Sequence, residues 1–205
     1  MSALTFEPEL VELAIGDAQE RWQAIGFDVR YGMLDIGGVR LRFTGTDGGI
    51  RSWALRSQDN TGAIDGLQTT MSLALWPPPF VTHPNGATGL DQVVVLTSDF
   101  ERTAGAFSQA GMPLSRTTDE LGRGLQGFRR IGPATLELVH RPELDGSGAV
   151  FWGLGVVVVD LEALAERLGE LLDEIRPAVQ PGRRIASLSP AAGLSLPMAF
   201  MSPET

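Results

Sequence analysis

The side chains able to do chemistry are few in this sequence, and their types exclude much. His83, His140 and a single tyrosine are the titratable groups beyond carboxylates and arginines, so general bases are scarce. There is no cysteine, and all 16 basic residues are arginines. Thiolate nucleophiles, disulfides, Cys-ligated zinc, iron–sulfur clusters, Schiff-base chemistry and a P-loop lysine are excluded together. Gly122-x-Gly124-x-x-Gly127 spells a dinucleotide fingerprint, but a strand follows it. A pyrophosphate there would meet no helix N-terminus. No Gly-x-Ser-x-Gly elbow is present. A net charge of −9 and a pI near 4.7 argue against nucleic acid, whose backbone needs a basic face. His83 lies in Thr82-His-Pro-Asn-Gly, a turn sequence that predicts an exposed loop histidine. His140 closes a strand three positions after Glu137, and alternation puts the two on opposite faces.

The elements that must position these residues repeat along the chain. Val93-Val-Val-Leu-Thr-Ser-Asp-Phe-Glu aligns with Leu154-Gly-Val-Val-Val-Val-Asp-Leu-Glu at a spacing of 61. Each segment reads as a strand running into a helix start, with Asp99 and Asp160 as N-caps or dipole partners and a capping box between Ser98 and Glu101. Gly122-Arg123 matches Gly182-Arg183 at a spacing of 60, and Gly132-Pro-Ala-Thr-Leu-Glu-Leu matches Gly193-Leu-Ser-Leu-Pro-Met-Ala at 61. In the last unit Leu161, Leu164, Ala165, Leu168, Leu171 and Leu172 fall at helical spacing. Short segments at 176–179, 184–189 and 194–201 follow, separated by Pro/Gly turns. The middle unit has the same order: strand 91–97, helix 99–110, and strands near 114–118, 124–131 and 134–140. Each unit is predicted as β-α-β-β-β.

A fainter copy opens the chain, with a strand at Leu10–Ile15, Asp17 as helix cap with Glu20 completing the box, and Gly26-Phe27 ending the helix as Gly111-Met112 ends the next. Residues 49–56 resemble another opening strand without a helix after it. Trp76-Pro-Pro-Pro-Phe-Val-Thr-His-Pro-Asn-Gly is the linker candidate, since three prolines continue neither sheet nor helix. The 205 residues are thus divided into a degenerate N-terminal unit with linker, 1–85, and a domain of two paired units, 86–205. The bare sheet face of the N-terminal unit predicts that residues 6–75 pack on the C-terminal pair or on a second subunit. The chain start has no signal-peptide pattern, and the longest apolar run, residues 150–159, is short of the ~20 residues a membrane helix needs. A soluble cytoplasmic protein without a membrane partner is expected.

This pattern resembles the vicinal oxygen chelate superfamily, which includes glyoxalase I, extradiol dioxygenases and bleomycin-resistance proteins. The likeness covers residues 88–203 well and residues 6–75 loosely. It implies an α+β fold in which paired β-α-β-β-β units form a curved mixed sheet around a cleft. Metal-binding members place ligands on the first and fourth strands of each unit, and the matching positions here are Gln92, Glu137, Gly153 and Met198. Gln92 and Glu137 are the two weak candidates for a metal. Gly153 offers no side chain, and Met198 is a thioether poorly matched to hard or borderline cations. Arg42, which aligns with Glu137 in the first unit, would repel a cation.

No bound metal or other cofactor is therefore expected. Gln92 and Glu137 become polar anchors for a ligand, and Trp152, Phe128 and Met198 its apolar wall, with Phe200 a further candidate. Core packing competes for these apolar residues, and for Glu137 a plain solvent face competes. Arg123 and Arg183 follow glycines and read first as turn chemistry, then as an anion site. Arg40 and Arg42 suggest carboxylate partners, most commonly intramolecular. The function expected is metal-free binding of a small molecule. The alternatives are a metal-dependent lyase, isomerase or dioxygenase-type enzyme acting on a small oxygenated substrate, and a structural or dimerising domain. Expected partners are a small molecule and, in a homodimer, a second copy of the chain.

Overall fold

A computed structural model describes residues 7–46, 48–56, 62–72, 77–120 and 124–204. Gly122, Arg123 and Trp76 of the sequence motifs lie outside them. The N-terminal part forms β1 (Glu9–Ile15), α1 (Gln19–Ala24), β2 (Met33–Ile36), β3 (Val39–Phe43), β4 (Ile50–Arg56), β5 (Gly62–Ile64) and β6 (Leu67–Met71). The C-terminal part forms β7 (Ala87–Thr97), α2 (Phe100–Gln109), β8 (Arg116–Glu120), β9 (Gly124–Ile131), β10 (Ala134–His140), β11 (Val150–Val158), α3 (Leu161–Leu168), β12 (Arg176–Pro177), β13 (Arg184–Ser187) and β14 (Met198–Met201). No helix among the described residues is long and apolar enough to cross a membrane.

The C-terminal strands make one eight-stranded sheet in the order β12-β13-β14-β11-β7-β10-β9-β8. Its centre is the antiparallel pair β7·β11, where Val93 faces Leu154, Gln92 faces Gly155 and Val94 faces Gly153. A twofold through the first of these pairs carries Gln92 to Gly153 and Val94 to Gly155, which is the 61-residue repeat written as strand register. On either side β10 and β14 run parallel to their opening strands. Asp99 and Asp160 cap their helices by accepting from Arg102 N and Ala163 N.

Among the described residues the six-stranded N-terminal sheet, β2-β3-β1-β4-β6-β5, has the same plan with one strand fewer in each unit. Its centre is again antiparallel, with Leu13 opposite Trp53, and β3 and β6 flank it in parallel. Asp17 departs from its expected role as helix cap. Its carboxylate is 2% exposed and accepts from the Trp22 indole and the Ser195 amide, so Ala18 stands at the N-cap without a side-chain bond. Both α1 and α2 end through a glycine at positive φ, Gly26 and Gly111, so that Phe27 N and Met112 N turn back to the carbonyls of Trp22 and Phe107. That wrap drives each following side chain into the core.

The two sheets share one hydrophobic core. Trp53 on β4, 1% exposed, donates to Thr69 Oγ1 and packs its ring against Phe107 of α2 and Phe151 of β11. Thus α2 covers the half of the N-terminal sheet that, among the described residues, has no helix of its own. Phe27 meets Phe200 of β14, and Asp65 takes a two-pronged ion pair from Arg102 on α2. Each such buried aromatic contributes roughly 1.5–3 kcal/mol relative to exposure. A chain truncated to residues 86–205 would expose Phe107 and Phe151, so it should melt well below the full chain or aggregate; thermal unfolding followed by circular dichroism checks this.

His83 also joins the two parts, and it is not the exposed loop histidine its turn sequence suggests. It is 4% exposed, its Nδ1 accepts from Asp28 N, and its Nε2 lies 3.1 Å from the Asp35 carbonyl. These partners fix the neutral tautomer with hydrogen on Nε2. Burial lowers its pKa from the ordinary value, against the opposing pull of the Asp35 carbonyl and the Asp28 and Asp35 carboxylates. A depressed folded pKa means that the unfolded chain takes up the proton first, so stability is intact above about pH 6.5 and is lost as pH falls below it. Urea denaturation at pH 7.5 and 5.5 should show this loss, and His83→Asn should remove most of that pH dependence.

Candidate functional site

Period-two alternation along the C-terminal strands sends one set of side chains to the helices and the other to the open face of the sheet. On β10, Leu136 and Leu138 are fully buried while Glu137 between them is half-buried. Glu137 stands opposite Phe128 of β9, and Phe128 opposite Arg116 of β8, which makes a row across three strands. The Arg116 guanidinium lies 4.5 Å from the Phe128 ring centroid, in cation–π contact. With Gln92, Gln126, Arg176, residues 177–181, Ile185 and Met201, these side chains line a cavity of about 400 Å³.

Gln92, Glu137 and Phe128 of the expected site are therefore gathered in one place. Two others are not. Met198 is 3% exposed in the core, and Met201 lines the cavity instead. Leu136 sits beside Val93 as Met198 sits beside Leu154, so the counterpart of Glu137 is Ala199, one residue further along than the sequence alignment placed it. Trp152 is 48% exposed and outside the cavity lining, being the extra residue of a bulge between Phe151 and Gly153. Phe200 is fully buried and belongs to the core. His140 bonds the Ser98 carbonyl, away from the cavity lining.

Whether the four positions suit a metal can be judged from their chemistry. Gln92 brings a neutral amide, Glu137 a carboxylate, and Ala199 no donor. A Cβ at Gly153 would stand 2.6 Å from the Pro197 carbonyl oxygen, so the crossing backbone leaves that position no room for a ligand side chain. Among the described residues no group of three or more His, Asp or Glu side chains could hold an ion. Arg116 and Arg176 add positive charge to the walls. One carboxylate with two amides, facing two guanidiniums, does not fit a catalytic metal, for which three protein ligands are usual.

Sequence reasoning missed Arg116, Arg176, Gln126 and the loop at 177–181. A signal was available, since Arg116 and Arg176 stand 60 residues apart, the spacing of the Gly-Arg repeat. They occupy the two edge strands of the sheet, β8 and β12, so the repeat brings one arginine to each side of the cavity. Asp91 was also missed. It is the extra residue of a bulge in β7, the twofold mate of the bulge at Trp152. Its carboxylate accepts at 2.8 Å from Arg183 Nη1, and Arg183 Nε donates to the Ser202 carbonyl. Arg183 backbone atoms bond Ala178 and Gln180, so this 4%-exposed arginine pins the loop that walls the cavity. Removing its partner leaves a buried charge, and Asp91→Ala should cost about 3–5 kcal/mol in urea unfolding.

No protein-family model matches the sequence, and no curated protein matches it. Solved structures that resemble the chain include methylmalonyl-CoA epimerase from Mycobacterium tuberculosis, with 20% identity, 58% of this chain and 91% of that chain covered, and a TM-score of 0.49. A Streptomyces coelicolor methylmalonyl-CoA epimerase variant in complex with 2-nitronate-propionyl-CoA has 18% identity, 58% and 99% coverage, and a TM-score of 0.47. A hypothetical protein from Bacillus halodurans C-125 has 16% identity, 57% and 94% coverage, and a TM-score of 0.47. The strand order, the parallel first and fourth strands of each C-terminal unit and the twofold seam between opening strands make this an α+β fold of the glyoxalase-like plan.

Proposed function

We propose that this protein binds a small molecule, without a metal, in the cavity of its C-terminal sheet. The observation that carries this reading is the lining. About 400 Å³ of space, within the range of small-molecule sites, is bounded by Phe128, Val179, Ile185, Met201 and three polar anchors, Gln92, Gln126 and Glu137. The paired units keep a walled cleft while Gly153 and Ala199 contribute no ligand to an ion, which supports recognition over Lewis-acid chemistry.

The chain then divides near residue 85 into two paired modules with different tasks. In the N-terminal sheet Leu13 pairs with Leu41 and Trp53 as Val93 pairs with Leu136 and Leu154, so Glu12 and Arg42 hold the places of Gln92 and Glu137. They bond each other at 2.8 Å, and Arg40 pairs with Asp35 on β2. Polar groups that could anchor a ligand are spent on one another there. This supports the N-terminal module as a scaffold for the C-terminal one.

The test uses N-phenyl-1-naphthylamine, an uncharged aromatic probe whose fluorescence rises in apolar sites. It should bind saturably, and equally well in excess EDTA. Phe128→Ala should weaken it several-fold by removing the ring that floors the cavity, and elemental analysis should find only substoichiometric divalent metal. A stoichiometric ion, lost together with a lyase or isomerase activity in Glu137→Ala, would overturn the proposal in favour of the metal-enzyme reading.

A further inference from the structure

The acidic residues outnumber the arginines 25 to 16, so an arginine left without an acid is not explained by scarcity of partners. Elsewhere the described arginines are engaged. Arg30, Arg40, Arg42, Arg102, Arg183 and Arg184 pair with carboxylates, and Arg130 and Arg167 donate to backbone carbonyls. Arg116 and Arg176, by contrast, have neither a hydrogen bond nor an ion pair with any described residue, and both line the cavity. Their placement follows from the repeat, because they open the second strands of the two units and so lie at opposite edges of the curved sheet.

Resting on the small-molecule reading above, we infer that the ligand is an anion, a compact aromatic or branched apolar body bearing an oxyanion that Arg116 and Arg176 hold between the cavity's edge strands. The physical case has three parts. A guanidinium presents fixed N–H donors that match a carboxylate, sulfonate or phosphate, and such charge-assisted bonds are about twice as strong as neutral ones. Arg116 is held in place by stacking on Phe128, which orients its donors before any ligand arrives. Phe128, Val179, Ile185 and Met201 offer apolar contact to the remainder of the molecule, and the Gln92 and Gln126 amides can bond its uncharged polar groups. Glu137 shares the cavity and disfavours an oxyanion beside it, so the charged end belongs at the edge strands and the body over the floor.

The test compares 8-anilinonaphthalene-1-sulfonate with N-phenyl-1-naphthylamine, the same skeleton without the sulfonate, by fluorescence titration of the full chain. The sulfonate should bind at least about tenfold more tightly. Arg116→Gln/Arg176→Gln should abolish the sulfonate's advantage, lowering its affinity by at least about tenfold more than that of the uncharged probe. Salt should weaken the sulfonate alone. Displacement by benzoate or by phenyl phosphate distinguishes a carboxylate from a phosphate ligand, and Arg116→Lys/Arg176→Lys, which keeps charge but loses the fork, should recover only part of the difference. If both probes bind equally in wild type and variant, the anion inference falls and the small-molecule reading stands. If neither binds, both fall.

Discussion

The antiparallel pairing of β7 with β11 across Val93 and Leu154 is the constraint on which the rest of the C-terminal architecture depends. A side-chain period of two makes register an all-or-nothing property, because a slip of one residue would send Gln92 into the core and Val93 to the open face. Glycine holds the seam together. Gly153 lets the Pro197 carbonyl reach the Leu154 amide at 3.0 Å, and Gly155 leaves the Gln92 side chain room on the opposing strand. The same residue that locks β14 against β11 thereby removes a place where a metal ligand could stand. The close backbone approach at the seam and the lack of a ligand side chain at position 153 have one cause.

The two sheets are similar in plan and packed on one shared core. Among the described residues no helix follows β4, and α2, which belongs to the other sheet, packs on Trp53. The exchange explains the unequal treatment of polar groups at the boundary. Asp17, Asp65, His83 and Asn85 are tied to backbone or side chains across it, since a polar group withdrawn from water without a partner costs as much as several good contacts yield. The open faces then diverge. One closes through Glu12–Arg42 and Arg40–Asp35, whereas the other keeps polar side chains around a cavity.

Bulges decide what the cavity is made of. Asp91 and Trp152 are twofold mates, each the extra residue in its strand. A bulge releases one side chain from strict alternation. At Asp91 that freedom places a carboxylate on Arg183, which stiffens the 177–181 wall. At Trp152 it leaves a large ring half in solvent rather than in the site. Equivalent backbone events thus have unlike consequences because the side chains differ.

The sequence by itself determined the C-terminal repeat, its β-α-β-β-β order, the Asp99 and Asp160 caps and the glycine helix ends, because these rest on local periodicity and on spacing within one segment. That Gln92 and Glu137 lie near one another is what the family resemblance implies rather than what alternation within a strand can say, and the structure sets both beside Phe128 in the lining of one cavity. Tertiary structure decided what depends on more than one strand. Only register across β11 and β14 could move the counterpart of Glu137 from Met198 to Ala199, and only a bulge could remove Trp152 from the site. His83 looked like a loop residue because its turn sequence says nothing about the strand that covers it, and its burial comes from Asp28 and Asp35, some fifty residues away in the chain. Arg116 and Arg176 carried the repeat spacing from the start, but their shared cavity exists only once the sheet has curved enough to bring its two edges to the same space.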